Sequence, residues 1–142
     1  MALIKEKQVD NMGITGNYWR IVQNNQSYID NINVIDLVMY ASTEARQNGS
    51  NPLPEQIRFT FKQGDHPVSD LDVSGIDTST VEHIEDLETQ FRYLHIKNIA
   101  QYAQNRLDNE TKELDGEEVA ITTEDLTLNE QNALFFIDAI DG

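Results

Sequence analysis

The chain has 142 residues, of which 39% are hydrophobic and 25% charged, and this composition suits one domain with a modest core plus an appendage. Ten basic side chains stand against 25 acidic ones, and the resulting net charge of −15 repels the phosphates of nucleic acids and anionic lipids. The absence of cysteine excludes disulfides, thiolate zinc sites and cysteine nucleophiles.

The beginning of the sequence favours a soluble product made in the cytoplasm. Residues 1–8 become charged after four residues and lack the apolar core of a signal peptide. No apolar run approaches the roughly 18 residues that cross a bilayer. We therefore expect neither nucleic acid nor membrane as a partner. A basic surface on another protein is the natural complement of so acidic a chain.

The first part of the chain is predicted to be β. Residues 16–23 are rich in aromatic and β-branched side chains, residues 24–27 have the composition of a turn, and residues 28–40 supply a second apolar stretch. Together these segments predict a hairpin. In residues 56–62 polar and apolar side chains alternate, which is the pattern of a half-buried antiparallel strand. The side chains expected to face the core are Ile57, Phe59 and Phe61.

Between and after these strands the sequence predicts connections and one long helix. Residues 41–54 indicate a short helical turn that ends at Gly49, followed by an extended link with prolines. Residues 64–78 form a polar loop rich in Asp, and Ser79–Glu82 has the pattern of a capping box. The helix that follows is expected to run over about residues 80–107.

The long helix is predicted to be amphipathic, because apolar residues recur at helical spacing along one face. The members of this stripe are Ile84, Leu87, Phe91, Leu94, Ile99 and Tyr102. The stripe either covers the open face of the sheet or packs against the same helix of sister chains in a bundle. His95 lies near the stripe, and we expect it to be a partly buried imidazole.

The composition changes after Leu107. Residues 1–107 carry a net charge of −5, whereas residues 108–142 carry −10 with a single lysine. The acidic part also contains an apolar run, and each large apolar side chain left in water costs about 1.5–3 kcal/mol. This part therefore either folds back on its own domain or docks on a neighbouring subunit. We predict a body of residues 1–107 and an acidic docking arm of residues 108–142. The expected partner contacts are Leu134, Phe135, Phe136 and Ile137.

No catalytic or cofactor-binding constellation can be assembled from the sequence. Neither a nucleophile elbow nor a phosphate-binding glycine loop occurs, and the three histidines show no metal-ligand spacing. We therefore expect a protein that is not an enzyme and has no cofactor.

One loop is a weak candidate for a calcium site, because it begins like an EF-hand. Its oxygen-bearing residues are Asp70, Asp72, Ser74 and Asp77. The twelfth position, which should be a bidentate Glu, is Val81, and Glu82 comes one residue late. A polar loop that leads into a helix explains the same residues without metal. A calcium-dependent carbohydrate- or receptor-binding module is therefore only an alternative prediction.

Four motifs of the first part occur in an order known from one family. They are Met1–Lys5, Gly13–Ile21, Leu37–Arg46 and Asn48–Leu53. In order and spacing they resemble the small tail-associated structural proteins of tailed bacteriophages and prophages. In that family a strand with MAL precedes a strand with YWRI, then a longer strand ending in Y-x-S-x-E-A-R and a Pro-Leu link to an aromatic strand. The resemblance covers residues 1–62 and has no counterpart for the later helix or the acidic C-terminal part.

The resemblance implies a virion subunit of the tail tip, baseplate or fibre attachment, assembled in the host cytoplasm. It implies other virion structural proteins as partners and a homo-oligomer within a symmetric assembly. A neck, capsid-fibre or decoration protein is the alternative within this class. The residues themselves predict an α+β fold, with a small, mostly antiparallel sheet or sandwich, one long helix and an acidic C-terminal arm. Such a fold is compatible with a subunit that docks on its neighbours.

Overall fold

The computed structural model of the protein describes residues 2–9, 12–27, 29–30, 32–62 and 84–141, and the side chains of these residues outside 84–90 and 141. The fold is α+β with mostly β content, as the sequence predicts. The strands are β1 (Leu3–Gln8), β2 (Thr15–Ser27), β3 (Ile32–Tyr40), β4 (Gln56–Lys62), β5 (Thr111–Leu114), β6 (Glu117–Ala120) and β7 (Ile140–Asp141). The helices are α1 (Thr43–Gln47), α2 (Ile84–Asn109) and α3 (Leu128–Leu134), with a 3₁₀ turn at Thr123–Asp125. No described helix is long and apolar enough to cross a membrane.

Five strands form one curled antiparallel sheet in the order β4-β3-β2-β1-β7, and β5 and β6 pair separately. The predicted hairpin is confirmed as β2 and β3. The turn predicted at residues 24–27 is wrong, because these residues continue β2 and pair with β3. A polar bridge supports this extension: the Asn33 amide nitrogen donates to Asn24 Oδ1 at 2.8 Å and to the Asn25 carbonyl at 3.2 Å.

The strand predicted at residues 56–62 is confirmed as β4, with Phe59 and Phe61 buried. The connection before it is also as expected. Ser42 caps α1 by accepting from the Ala45 N–H at 3.1 Å, and Gly49 follows the helix with a φ of +79°. The extended link then returns to the sheet, where the Leu53 N–H donates to the Met39 carbonyl at 2.7 Å.

Helix α2 lies over one face of the sheet, so the first of the two predicted placements of its apolar stripe is the one observed. Its buried residues include Tyr93, Ile96, Ile99, Ala100 and Ala103, and the core joins the first four of these to Trp19, Leu37 and Phe59 of the sheet. The predicted stripe is wrong at Tyr102, which is 53% exposed. The alanines explain the difference, because small side chains let the helix approach the sheet along a face that a count of large apolar residues does not find.

Two polar side chains of α2 are built into this contact. The Tyr93 hydroxyl accepts a hydrogen bond of 2.6 Å from the Ile21 N–H, and burial raises the pKa of Tyr93 to about 12. His95 is buried, as expected from its place near the stripe, and its ring lies 5.0 Å from that of Phe61.

Candidate interaction surfaces

The last part of the described chain, residues 126–141, packs on the sheet, and we call it the C-terminal clasp. Phe136 is fully buried, and its ring meets Trp19 edge-on with the centroids 5.4 Å apart. Phe135 meets the same indole at 5.6 Å, and Leu134 and Ile137 are half-buried. Trp19 thus gives the apolar run a partner within the same chain. Contact of these four residues with a partner protein stays a prediction.

The predicted division of the chain at Leu107 is corrected for the same reason. Residues 126–141 share one core with the body, so the acidic part does not form an arm that stands apart from it. Of the two alternatives for this part, the structure shows folding back on the chain's own domain.

The clasp occupies the outer edge of β4 through side-chain amides. The Asn129 amide nitrogen donates to the Thr60 carbonyl at 2.7 Å, and the Thr60 N–H donates to Asn129 Oδ1 at 3.1 Å. Asn132 adds a bond of 3.1 Å to the Arg58 carbonyl. The Asn129 side chain thereby offers Thr60 the donor and acceptor that a neighbouring strand would offer, so both backbone groups of Thr60 are satisfied without a further strand.

The clasp also covers the opposite edge of the sheet. Strand β7 pairs with β1, with Ile140 opposite Ile4. Nearby, Lys5 Nζ lies 2.6 Å from an Asp138 carboxylate oxygen and 5.6 Å from the centre of the Phe135 ring. A single segment of 16 residues therefore contacts both sides of the sheet, at Arg58 and Thr60 of β4 and at Leu3 and Ile4 of β1.

A buried ion pair anchors the clasp to α2. Glu130 is 2% exposed, and both of its carboxylate oxygens accept from one Arg106 nitrogen at 2.9 Å. Arg106 also binds Glu110, and the bonds to Glu110 and Glu130 raise the pKa of its guanidinium. Thr127 caps α3 in a reciprocal capping box with Glu130. Because both oxygens of the Glu130 carboxylate are bonded, its role here is to hold α3 against α2.

The other buried acid of the described residues, Asp36, is also held by an arginine. Arg58 lies opposite it on β4 and donates from Nε at 2.6 Å and from a terminal nitrogen at 2.9 Å. These bonds hold the pKa of Asp36 below its ordinary value of 3.8, against the opposing effect of burial. The pair is thus a structural bidentate bridge and not a proton donor near neutral pH.

Four exposed carboxylates of the C-terminal part lie together on a hairpin formed by β5 and β6, which we call the acidic hairpin. Its turn has positive φ at Asp115 (52°) and Gly116 (82°). Its exposed carboxylates are those of Glu113, Asp115, Glu117 and Glu118. Beside them Leu114 is 54% exposed. The hairpin is therefore a projecting negative surface with one apolar side chain near its end.

Contacts at its base hold the acidic hairpin in place, which matters because an isolated two-stranded hairpin is marginally stable. Lys112 Nζ binds both oxygens of Asp125 at 2.8 and 3.1 Å, and the pKa of Asp125 is lowered chiefly by this bond. The Ile121 N–H donates to the main-chain carbonyl of Glu110 at 3.2 Å, and the side chain of Glu110 pairs with Arg106. The surface is thus presented in a defined orientation.

The weak calcium candidate, Asp70, Asp72, Ser74 and Asp77, lies outside the described residues, as do His66 and His83. Calcium binding by that loop therefore stays a prediction. Within the described residues, no group of three or more His, Asp or Glu side chains could hold a metal ion.

Sequence reasoning missed helix α3 and the contacts it makes, although one signal was present. Thr127 followed by Glu130 has the spacing of a capping box and marks the beginning of α3. The pairing of Asn129 with Thr60 has no comparable local signal, since the two residues are 69 positions apart.

Comparison with known proteins leaves the phage-tail resemblance as a prediction. No protein-family model matches the chain, and no curated protein or solved structure is significantly similar to it. A function therefore has to be argued from the surfaces described above.

Proposed function

We propose that this protein is a non-enzymatic structural subunit of a phage virion, in the tail, baseplate or fibre-attachment region, where it docks neighbouring subunits after assembly in the host cytoplasm. The four motifs that resemble phage tail proteins occupy consecutive parts of the sheet. They lie in β1, in β2, at the end of β3 with α1, and in the link to β4. The resemblance thus concerns one continuous architectural unit.

The side chains of these motifs have packing roles that suit a structural subunit. Trp19 is fully buried, and its indole N–H donates to the Lys5 carbonyl at 2.9 Å. Gly16 lies so close to Leu53 that an added Cβ would be 2.8 Å from its Cδ1 atom. Arg46 stacks over Tyr40 at 5.7 Å. These contacts define the shape of the body and supply no reacting group.

The observation that carries the docking role is the acidic hairpin. Its four exposed carboxylates make no ion pair with any described residue, and the base contacts of Lys112 and Ile121 hold it against the body. Such a surface suits a basic patch on a neighbouring subunit, because opposite potentials guide association and set orientation. Leu114 adds an apolar contact that a complementary pocket could cover.

The location is tested on intact particles. Tailed particles from cells that make the protein are purified and labelled with antibody against the chain. We expect label at the tail, with the protein in several copies per particle. Label at the neck or capsid would instead favour the neck, capsid-fibre or decoration alternative. Absence of the chain from purified particles would refute a virion role.

The docking surface is tested with a charge-neutralised variant, E113Q/D115N/E117Q/E118Q. It should fold like the unmodified protein and lose incorporation into particles. A matched variant, E6Q/D30N/E44Q/D108N, removes the same number of exposed charges elsewhere and should incorporate normally. Equal incorporation of both variants would exclude the acidic hairpin as the docking element, while leaving the particle location to the labelling experiment.

A further inference from the structure

Two arginines of the described part of the chain have no carboxylate partner. Ion pairs between described residues hold the side chains of Lys5, Lys7, Arg58, Arg106 and Lys112. By contrast, the side chains of Arg20 and Arg46 make no ion pair or hydrogen bond with any described residue. Their N–H donors are therefore available to the carboxylates of another molecule.

Both arginines belong to one patch on the face of the sheet opposite α2. Tyr18 and Arg20 alternate with the core residue Trp19 along β2, so their side chains share that face. The Tyr40 ring lies 6.3 Å from that of Tyr18, and the Arg46 guanidinium lies over the Tyr40 ring at 5.7 Å. We call these four residues other than Trp19 the arginine-tyrosine patch. Tyr18 is buried and the other three are half-buried, so part of each arginine reaches solvent.

The acidic hairpin has the complementary arrangement of charged and apolar groups. Leu114 is 54% exposed, and Glu113 and Asp115 flank it in the sequence. Glu117 pairs with Leu114 across the hairpin. The hairpin therefore presents one apolar side chain among carboxylates, and the patch presents two aromatic rings with an arginine next to each. In contact, the carboxylates would meet the guanidinium groups while Leu114 would cover the rings.

We propose that the acidic hairpin of one copy docks on the arginine-tyrosine patch of a second copy, in a head-to-tail contact. This inference rests on the docking role proposed for the acidic hairpin and names its partner. A second copy is the occupant because this chain carries both halves of the contact, the exposed carboxylates and the two arginines that lack carboxylates. The repulsion between two chains of −15 is screened beyond about 8 Å at physiological salt, whereas the hairpin and the patch attract each other at contact distance.

The test is the mass of the full chain in solution by light scattering, from micromolar concentrations to about 1 mM, because a contact of a few charge pairs gives weak association. We expect the mass to rise with concentration above 16.2 kDa. The charge-reversed variants R20E/R46E and E113K/E117K should each stay monomeric, with unchanged circular dichroism spectra. Their equimolar mixture should associate again, because the first variant keeps the acidic hairpin and the second keeps the patch.

A matched control and a crosslinking experiment complete the test. D30K/E124K reverses two exposed acids elsewhere, changes the net charge as much as E113K/E117K does, and should associate like the unmodified chain. R20K/R46K keeps the charge of the patch and supplies amines. A carbodiimide joins amines to carboxylates, so the covalent dimer of this variant should contain peptides of the patch linked to peptides of the acidic hairpin. This result does not depend on how the charge-reversed variants fold.

Four results would each overturn the inference: a mass of 16.2 kDa for the unmodified chain at every concentration, association that survives R20E/R46E, equal loss of association in D30K/E124K, or a covalent dimer without such links. A mixture of folded charge-reversed variants that stays monomeric would do the same. If the pure chain is monomeric while E113Q/D115N/E117Q/E118Q loses incorporation into particles, the hairpin docks on a different protein. The inference then fails and the proposed function stands. Association in solution by a chain that is absent from purified particles would refute the virion role and leave the contact between copies.

Discussion

The Asn129 side chain pairs with both backbone groups of Thr60 and so takes the place of a strand at the outer edge of β4. The two residues lie 69 positions apart, and the bonds join α3 to the sheet across the rest of the chain. Strand β4 remains the edge strand of the sheet, but the outward backbone groups of Thr60 are already bonded, which reduces the ability of this part of the edge to pair with other chains.

Replacing Asn129 with Ala should destabilise the protein by about 1–2 kcal/mol, because two hydrogen bonds to the strand edge are lost. Asn132→Ala removes one such bond and should cost about half as much. The unfolding free energy of each variant is measured by urea unfolding with circular dichroism as the signal. Equal stability of the two variants would show that the Asn129 amide has no special role at this edge.

Replacing Phe136 with Ala should cost about 3–5 kcal/mol, because it opens a cavity beside Trp19 in the core. That is a large share of the roughly 5–15 kcal/mol that stabilises a typical domain. Leu128→Ala, at a position that is 70% exposed, should change stability by no more than about 0.5 kcal/mol. Thermal and urea unfolding measure the stability of both variants. Similar losses of unfolding free energy in the two would contradict a core position for Phe136.

Replacing Asp36 with Asn should lower stability near neutral pH and remove part of its pH dependence. The pKa of Asp36 is depressed in the folded state, so its contribution is full above the ordinary value of 3.8 and is lost as pH falls through the lower folded value. The gap between the unmodified protein and the Asn variant should therefore shrink under acid. Urea unfolding between about pH 2.5 and about pH 7 measures this gap.

Asp138→Asn provides the comparison for Asp36, since it also removes a carboxylate paired with a basic side chain. Asp138 is 66% exposed and pairs with Lys5, so solvent screens its interaction and the gap should be smaller at every pH. If the Asp36 variant showed a gap of constant size down to low pH, the charge of Asp36 would not be the source of its stabilisation.

Replacing Gly16 with Ala should cost about 1–3 kcal/mol through overpacking. The added Cβ would lie 2.8 Å from both the Leu53 Cδ1 atom and the Tyr40 carbonyl oxygen. Leu53→Ala removes the first contact but not the second, so the double variant should recover only part of the loss. A double-mutant cycle by urea unfolding measures the coupling, and strict additivity would mean that Leu53 does not restrict this position.

Local patterns in the sequence predicted several elements because the forces that form them act over short distances. Alternation of apolar and polar residues gave β4 with the bounds observed, and the glycine signal at the end of α1 was confirmed. Composition failed at Asn24 and Asn25, where a turn was expected. The Asn33 side-chain amide donates to Asn24 Oδ1 and to the Asn25 main-chain carbonyl across the hairpin, and bonds of that kind depend on register, which composition does not reveal.

The candidate surfaces were less predictable, because they depend on contacts between distant residues. The apolar run near Phe136 correctly indicated a need for burial, but nothing in its own sequence identified Trp19 as the partner. Lys5 and Asp138 are separated by 133 positions. By contrast, the concentration of charge after Leu107 did indicate a negative surface, which the structure places on the acidic hairpin.

The position of the clasp along the chain has a consequence for biosynthesis. Strands β1 to β4 leave the ribosome well before residues 126–141, so the nascent sheet has two open edges and an uncovered Trp19 for most of translation. Covering Trp19 and pairing with β1 require contacts between the two ends of the described chain, and contacts of such long sequence separation slow folding. Incomplete chains should therefore be the species that aggregate or engage chaperones, while the completed chain does neither.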